Sequence, residues 1–364
     1  MSVGRFLPIT LVVVGVFCFL ALAVIVVAKI HRRRAADRSR YLLSAYRNEL
    51  IAIASDEDED GEAQAVLYAV PTPIWERLRS SVIAFLPKVR GTAAEDLSEL
   101  LRSRGEIDRA IKMLTSRSGV RRARGAYLLG LVRDRDHVEL LIPLLADRDL
   151  DVRLIAAHSL GEIGATSAAN GILQAIRTTR GRMGLPARVA VEALLGMGVE
   201  IAAVIEAGLT SHDAAVRNVC AQVAGHGTIF SAAPQLSILL ATATEGEVRA
   251  SAAMALGRVG GANEAGALAR HTDSSEVAEL RRTCAIALGD LGRQESLDTL
   301  VILLGDDDRR LAQLAADSLI QFGESGIARL KAIAVDETPS ARAARGAIDL
   351  AKLRGQIRAD TGDS

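Results

Sequence analysis

Aromatic residues and lysine are both scarce in this sequence. Only 3% of the 364 residues are aromatic, and arginine supplies all of the basic charge except that of five lysines. The formal charge is zero, but eight basic residues and one acid lie up to Arg47, which leaves −7 for the remainder. Nucleic-acid binders need a basic surface, and those that hold single strands add aromatic stacking. We therefore expect no nucleic-acid partner.

Motifs for metal, redox or nucleotide chemistry are also missing. The three cysteines, Cys18, Cys220 and Cys284, are far apart, so the sequence contains no C-x-x-C pair and gives no sign of a disulfide framework. No H-E-x-x-H motif occurs, and no lysine follows a glycine as a Walker loop requires. The sequence predicts no catalytic residue, no metal ligand and no bound cofactor.

One long apolar run stands at the N-terminus. Residues 6–28 read FLPITLVVVGVFCFLALAVIVVA without a charge, which is long enough for a helix to cross the ~30 Å hydrocarbon core. Arg32, Arg33 and Arg34 follow it, and the positive-inside rule then places the rest of the chain in the cytoplasm. These arginines are also candidates for contact with anionic lipid. The alternative is a cleaved signal peptide, whose apolar region is shorter.

A repeated segment fills most of the remaining chain. Typical copies are VRLIAAHSLGEIG (152–164), VRASAAMALGRVG (248–260) and LRRTCAIALGDLG (280–292). The aligned glycines are spaced 29 to 35 residues apart, and a period in this range indicates a solenoid. They are Gly130, Gly161, Gly196, Gly225, Gly257 and Gly289.

Each repeat predicts a pair of helices. Apolar residues at i, i+4 and i+8, such as Val152, Ala156 and Leu160, form one buried face. We expect the glycine to end the first helix as a C-terminal cap, and a second apolar helix such as APQLSILLAT (233–242) to follow. Ser159 resembles the serine of a hydrolase G-x-S-x-G elbow. Its counterparts in other repeats are leucine, valine or alanine, so we interpret it as a helix residue.

The recurring V-R-x-x-A-A-x-x-L-G pattern resembles the HEAT-repeat family, in particular its bacterial PBS-lyase HEAT-like subtype. The resemblance covers residues 119–350 and implies an all-α, right-handed α-solenoid of HEAT/armadillo-like helical hairpins, here preceded by one transmembrane helix. It also implies that a recurring arginine forms a structural ladder between repeats, with ligand binding as the alternative role. The ladder arginines are Arg122, Arg153, Arg188, Arg217, Arg249 and Arg281. Iron hydroxylases built on HEAT repeats use His-Glu pairs as metal ligands. No histidine here directly precedes a glutamate, so the sequence does not support that activity.

The predicted organisation has six parts. An extracytoplasmic tail precedes the anchor, and a juxtamembrane helix with the acidic run SDEDEDGEA follows it. An atypical helical capping region packed by Trp75 then leads into seven to eight repeats and a disordered tail. The boundaries are 1–5, 6–30, 31–63, 64–117, 118–352 and 353–364. The acidic run is either a solvated linker or a docking tail for a basic partner.

The longest repeat interval carries a basic insertion. Residues 177–186 read RTTRGRMGLP, and Arg177, Arg180 and Arg182 are candidates for partner recognition, since extra residues in a repeat form loops. A tolerated insertion without function is the alternative. We expect a non-enzymatic scaffold that binds a protein, such as a membrane enzyme or transport component, at the cytoplasmic face of a bacterial membrane. A lyase-like or other small-molecule-binding enzyme subunit and a sensor of the membrane surface are the alternatives, and the oligomeric state stays open.

Overall fold

The computed structural model of the protein describes residues 46–54, 61–177, 183–353 and 355, together with single positions 22, 26 and 29. Every regular element in these ranges is helical. The predicted anchor at 6–30 and its flank, Arg32, Arg33 and Arg34, lie outside them apart from the three single positions. Within the described part, no helix is both long and apolar enough to span a bilayer. The anchor therefore stays a prediction.

The chain divides into two compact units, residues 1–109 and 110–364. In the first unit the described helices are α1 (Arg47–Ala54), α2 (Glu62–Tyr68), α3 (Thr72–Phe85), α4 (Thr92–Ser103) and the start of α5 (Glu106–Leu114). The division falls inside α5, on the N-terminal side of the predicted boundary at residue 118.

Trp75 lies in the buried core of the first unit. It is 1% exposed, and its indole Nε1 donates a hydrogen bond to the buried carboxylate of Glu106 at 3.0 Å. Arg79 and Arg109 donate to the same carboxylate, each at 3.3 Å. The Arg104 guanidinium lies 5.0 Å from the centre of the Trp75 ring, within cation–π range. The only tryptophan is therefore a packing residue held by a charged network.

The second unit is built from alternating first and second helices. The first helices are α6 (Gly119–Leu131), α8 (Leu150–Ile163), α10 (Ala187–Leu195), α12 (Ala214–His226), α14 (Gly246–Val259), α16 (Ala278–Leu291), α18 (Arg309–Gln321) and α20 (Pro339–Leu353). The second helices are α7 (Val138–Leu141), extended by a 3-10 turn at Ile142–Ala146, then α9 (Ala169–Ala175), α11 (Ala202–Leu209), α13 (Ala233–Thr242), α15 (Ala262–Arg270), α17 (Glu295–Leu303) and α19 (Glu324–Ala334).

Each first helix packs on the next first helix, and the second helices form their own row. The second unit is therefore a solenoid, in which each helix pair completes its core only by stacking on its neighbours. The handedness inferred from the resemblance stays a prediction. Cys220 and Cys284 are fully buried and unbonded, and burial raises the pKa of both thiols to about 12.

The prediction that the recurring glycines cap the first helices is wrong for most of them. Gly161 and Gly257 lie inside α8 and α14, in their last turn. A Cβ added to Gly161 would come within 2.7 Å of the Ala193 Cα atom, and one on Gly257 within 2.9 Å of the Ala287 Cα atom. The repeat therefore needs glycine there because adjacent first helices touch backbone to backbone. The residue that ends α8 with a left-handed backbone is Gly164, at φ 71°.

Candidate functional site

A row of arginines follows the edge of the solenoid where each first helix begins. Five of the six predicted ladder arginines occupy the fourth position of a first helix. Each donates a hydrogen bond to a backbone carbonyl in the segment before its own helix. The pairs are Arg122 with Ser116 (2.8 Å), Arg153 with Asp147 (2.8 Å), Arg217 with Ser211 (2.8 Å), Arg249 with Leu240 (2.9 Å) and Arg281 with Thr272 (2.9 Å). These bonds satisfy backbone carbonyl groups that accept no hydrogen bond from within a helix.

Four of these arginines also bind a carboxylate near the start of the following repeat. Each guanidinium therefore binds both a carbonyl before its own helix and a carboxylate before the next first helix, and so it links consecutive repeats. The charge-assisted bonds are about twice as strong as neutral ones. The acid partners are Asp147 for Arg122 (2.7 Å), Glu245 for Arg217 (2.7 Å), Glu276 for Arg249 (2.6 Å) and Asp306 for Arg281.

Glu276 is the most strongly stabilised of these carboxylates. Arg249 donates to both of its oxygens, at 2.6 and 2.9 Å, and His271 Nδ1 lies 2.8 Å from one of them. The hydrogen bonds from Arg249, and then the one with His271, lower the pKa of Glu276 to about 2. The charges of this cluster are satisfied internally, which fits a structural role.

Arg188 does not join the row. Its side chain is 88% exposed and pairs with Glu192 on the same helix. Gly161 meets Ala193, three residues before Gly196, whereas Gly225 meets Ala255, two residues before Gly257. In α10, Arg188 is therefore one residue away from the position that the ladder arginines occupy in the other first helices. One residue corresponds to a rotation of about 100° around the helix axis, so Arg188 points in a different direction. The alignment on Gly196 concealed this shift.

Arg153 holds its place in the row but has no carboxylate partner in the part of the chain that the structure describes. It is 7% exposed, and its second described bond runs to the Met183 carbonyl at 2.7 Å. No described acid lies within ion-pair distance of it, and residues 177–186, where the acid would stand, contain neither aspartate nor glutamate. Both oxygens of the nearby Asp147 carboxylate accept from Arg122. The row is thus interrupted at the predicted insertion.

An open cleft of about 730 Å³ lies beside Arg153, between the 3-10 turn at Ile142–Ala146 and α9. We call it the Arg153 cleft. Its walls are mainly apolar, and its polar lining comes from the Asp147, Arg153, Gln174 and Arg177 side chains. The apolar lining residues are Ile142, Leu145, Ala146, Ala175 and Met183. An apolar cleft with a buried cation in its lining suits an anionic group flanked by apolar ones.

The predicted recognition loop is only partly described. Arg177 lines the Arg153 cleft, is 62% exposed and lies 3.3 Å from Asp213. Arg180 and Arg182 lie outside the described residues, as does most of the acidic run. The role of this loop in recognition stays a prediction.

On five of the seven second helices, the solvent side has an uncharged residue at a corresponding position. At this position an exposed residue is followed directly by two buried residues. The exposed residues are Pro143, Ala207, Ile238, Gly266 and Ile302. Ile238 and Ile302 are 63% and 75% exposed. Their segments, SILLAT and VILLGD, are more apolar than one buried stripe requires. That excess of apolar residues is the sequence signal for this surface.

Ser159 is not an exposed nucleophile. It is 1% exposed and packs against Gly130, where a Cβ would come within 2.5 Å of the Ser159 side chain. Its hydroxyl has no hydrogen-bond partner among the described residues. In the same part of the chain, no three histidine, cysteine, aspartate or glutamate side chains converge in a way that could hold a metal ion.

Comparison with known proteins finds similarity over part of the chain. The family model for HEAT repeats matches residues 107–194 and 265–350. No curated protein matches the chain. Similar solved structures include an engineered protein, with 19% identity over 79% of this chain and 82% of that one, at a TM-score of 0.35. Human deoxyhypusine hydroxylase in complex with glycerol is another, with 19% identity over 78% of this chain and 98% of that chain, at a TM-score of 0.29.

The phycocyanin lyase complex from a Nostoc species is a further similar structure. Its identity is 18% over 74% of this chain and 92% of that one, with a TM-score of 0.26. The two ranges matched by the HEAT-repeat model, 107–194 and 265–350, contain first and second helices of the solenoid.

Proposed function

We propose that this HEAT-repeat protein is a non-enzymatic scaffold that holds a protein partner on its row of second helices. Residues 6–30 anchor it to the inner or plasma membrane, with the solenoid in the cytoplasm. Anchoring confines the solenoid to a thin layer beside the membrane and so raises its effective concentration toward partners there. The partner is a membrane enzyme or a transport component.

The exposed apolar side chains of the second helices carry this proposal. Ile238 and Ile302 expose more than half of their surface on helices whose leucines are buried. Phe230, 66% exposed, precedes α13 in a 3-10 turn. Isolated exposed apolar residues are common, but an uncharged exposed position shared by five of the seven second helices offers a partner several contacts along one row. Aromatic residues such as Phe230 are enriched in protein interfaces.

The chemistry of the described residues supports binding over catalysis. The carboxylates of the arginine row are paired with guanidinium groups, and the buried cysteines are held as neutral thiols. A catalytic acid or base needs access to substrate and a pKa near the working pH. A small-molecule-binding enzyme subunit is the alternative, and the experiment below distinguishes the two.

Site-specific photocrosslinking in the native membrane tests the scaffold. A photoreactive amino acid replaces Ile302 in one full-length variant and Val120 in a matched control. Val120 is also exposed, at 80%, but lies at the start of a first helix, α6. We expect one recurrent protein adduct at position 302 that is lost when Ile238→Lys is added. The control position gives no such adduct.

Two results would contradict the proposal. One is the same set of adducts at positions 302 and 120, which indicates random collision. The other is the absence of protein adducts together with retention of a small molecule during purification, which favours the enzyme alternative. A variant lacking residues 1–34 tests the anchor separately. It should move to the soluble fraction and lose the adduct.

A further inference from the structure

The Arg153 cleft differs from a second, similar cleft in one chemical respect. The second cleft, of about 410 Å³, lies two repeats further on and is lined by Arg217, Gln235, Ile238 and Thr242. We call it the Arg217 cleft. Arg217 has its carboxylate partner, Glu245, at 2.7 Å. Arg153 has backbone carbonyl partners alone among the described residues.

A buried guanidinium without a carboxylate is an unusual arrangement. Removing a charge from water costs several kcal/mol unless another charge or several hydrogen bonds compensate it. Arginine carries five N–H donors, and the described bonds of Arg153 use one from each terminal nitrogen. Its Nε–H donates to no described residue. The protein thus keeps a desolvated cation with spare donors beside an open cleft.

We propose that the Arg153 cleft binds an aspartate or glutamate side chain from an extended, otherwise apolar segment of the protein partner. The incoming carboxylate takes the place that Glu245 and Asp147 fill for their own arginines. This inference rests on the proposed function and specifies the chemistry of the partner.

Two features of the cleft favour a peptide carboxylate as the occupant. The equivalent position in four other repeats is filled by the carboxylate of an acidic side chain, so the geometry of the arginine row already fits this group. The walls supplied by Leu145, Ala175 and Met183 are apolar, and they match apolar residues on either side of the acid. Charge complementarity fixes the register of such a contact more than its overall affinity.

Fluorescence anisotropy with a matched pair of peptides tests the inference on the full-length chain in detergent. The probe is fluorescein-labelled Gly-Ser-Leu-Glu-Leu-Ser-Gly, and its control has glutamine in place of glutamate. Hydrogen bonds to charged groups contribute about 1.5–3 kcal/mol. We therefore expect the glutamate peptide to bind at least about tenfold more tightly than the glutamine peptide.

Variants at Gln174 locate the binding without disturbing Arg153, whose bonds hold two turns together. Gln174 is exposed and lines the cleft. Gln174→Glu supplies a carboxylate from within the chain and should weaken the glutamate peptide by at least about tenfold. Gln174→Met keeps a side chain of similar length without charge and should change the affinity less than about threefold.

The Arg217 cleft provides a gain-of-function test. Glu245→Gln removes its carboxylate, and Glu245 is 42% exposed, so the substitution should leave the fold intact. We expect this variant to bind two equivalents of the glutamate peptide where the parent binds one. Combined with Gln174→Glu, it should bind one equivalent, now at the Arg217 cleft.

Equal affinities for the two peptides, or no effect of Gln174→Glu, overturn the inference. Its failure can be told apart from that of the proposed function. If a partner crosslinks at position 302 and Gln174→Glu leaves that adduct unchanged, the scaffold stands and the carboxylate contact is wrong. If no partner crosslinks while the peptide data hold, the cleft binds carboxylates and the scaffold proposal fails.

Discussion

The close contact between first helices makes a quantitative prediction about glycine. Gly161→Ala places a methyl group 2.7 Å from the Ala193 Cα atom and 2.8 Å from its carbonyl oxygen. Carbon atoms at optimal separation are about 3.5–4.0 Å apart, so α8 and α10 must move apart. These neighbours are backbone atoms and cannot rotate away. Overpacking of this kind costs about 1–3 kcal/mol.

The matched control is Gly266→Ala in α15. There the added methyl group meets only the end of the Arg270 side chain, at 4.0 Å. Alanine is favoured over glycine inside a helix by about 1 kcal/mol, and this gain applies at both positions. The difference between the two variants therefore isolates the packing cost. Gly266→Ala should be more stable than the parent protein, and Gly161→Ala less stable than Gly266→Ala by about 1–3 kcal/mol.

Urea unfolding followed by helical circular dichroism measures this difference. Because long repeat arrays can lose two-state behaviour, hydrogen exchange of the α8 and α10 amides should accompany it. Equal unfolding midpoints for Gly161→Ala and Gly266→Ala would refute the argument, since the glycines would then be interchangeable helix positions.

Three further predictions concern single side chains. Ser159→Ala should be neutral or stabilise the protein by about 1 kcal/mol, because the buried Ser159 hydroxyl has no hydrogen-bond partner among the described residues. Ser318→Ala should instead destabilise the protein by about 1 kcal/mol, since the Ser318 hydroxyl donates to the Ala285 carbonyl at 3.1 Å. Urea midpoints would decide between them, and equal shifts would contradict the reasoning. Glu276 has a lowered pKa in the folded state, so its contribution is complete above about 4.5 and is lost as the pH falls toward about 2. The melting temperature of Glu276→Gln should therefore depend less on pH than that of the parent between pH 5 and pH 2, and parallel curves would contradict this assignment. Glu106→Ala should destabilise the first unit by about 3 kcal/mol, because three donors lose a buried acceptor; Trp75 fluorescence reports the loss, and an unchanged unfolding curve would argue against the network.

Much of the fold could be predicted from the sequence because the repeat appears many times. The apolar spacing that placed Val152, Ala156 and Leu160 on one face predicted the buried side of α8, and all three are fully buried. The region 64–117, predicted to be helical, does contain helices. Comparing many copies of the repeat also hid the places where single repeats depart from the shared pattern. An alignment on glycine cannot reveal that α10 is offset by one residue, because its glycine is still present.

The candidate site was less predictable, since it depends on which residues meet across repeats. The sequence identified the recurring arginines, but it did not pair them with acids 25 to 28 residues later. It drew attention to Arg177, whereas the cleft arginine that has no carboxylate partner among the described residues is Arg153. The missing acid in residues 177–186 is visible in the sequence only once the rule linking each arginine to its acid is known.

The sequence by itself determined that the chain is a helical repeat protein with a long apolar run near its N-terminus. Periodic apolar residues and regularly spaced glycines are properties of the order of residues along the chain, so the sequence alone shows them. Tertiary structure alone decided why the glycines are needed, which arginine lacks its carboxylate and which apolar residues stay exposed. Each of these depends on distances between residues about thirty positions apart, and stacking of the repeats sets those distances.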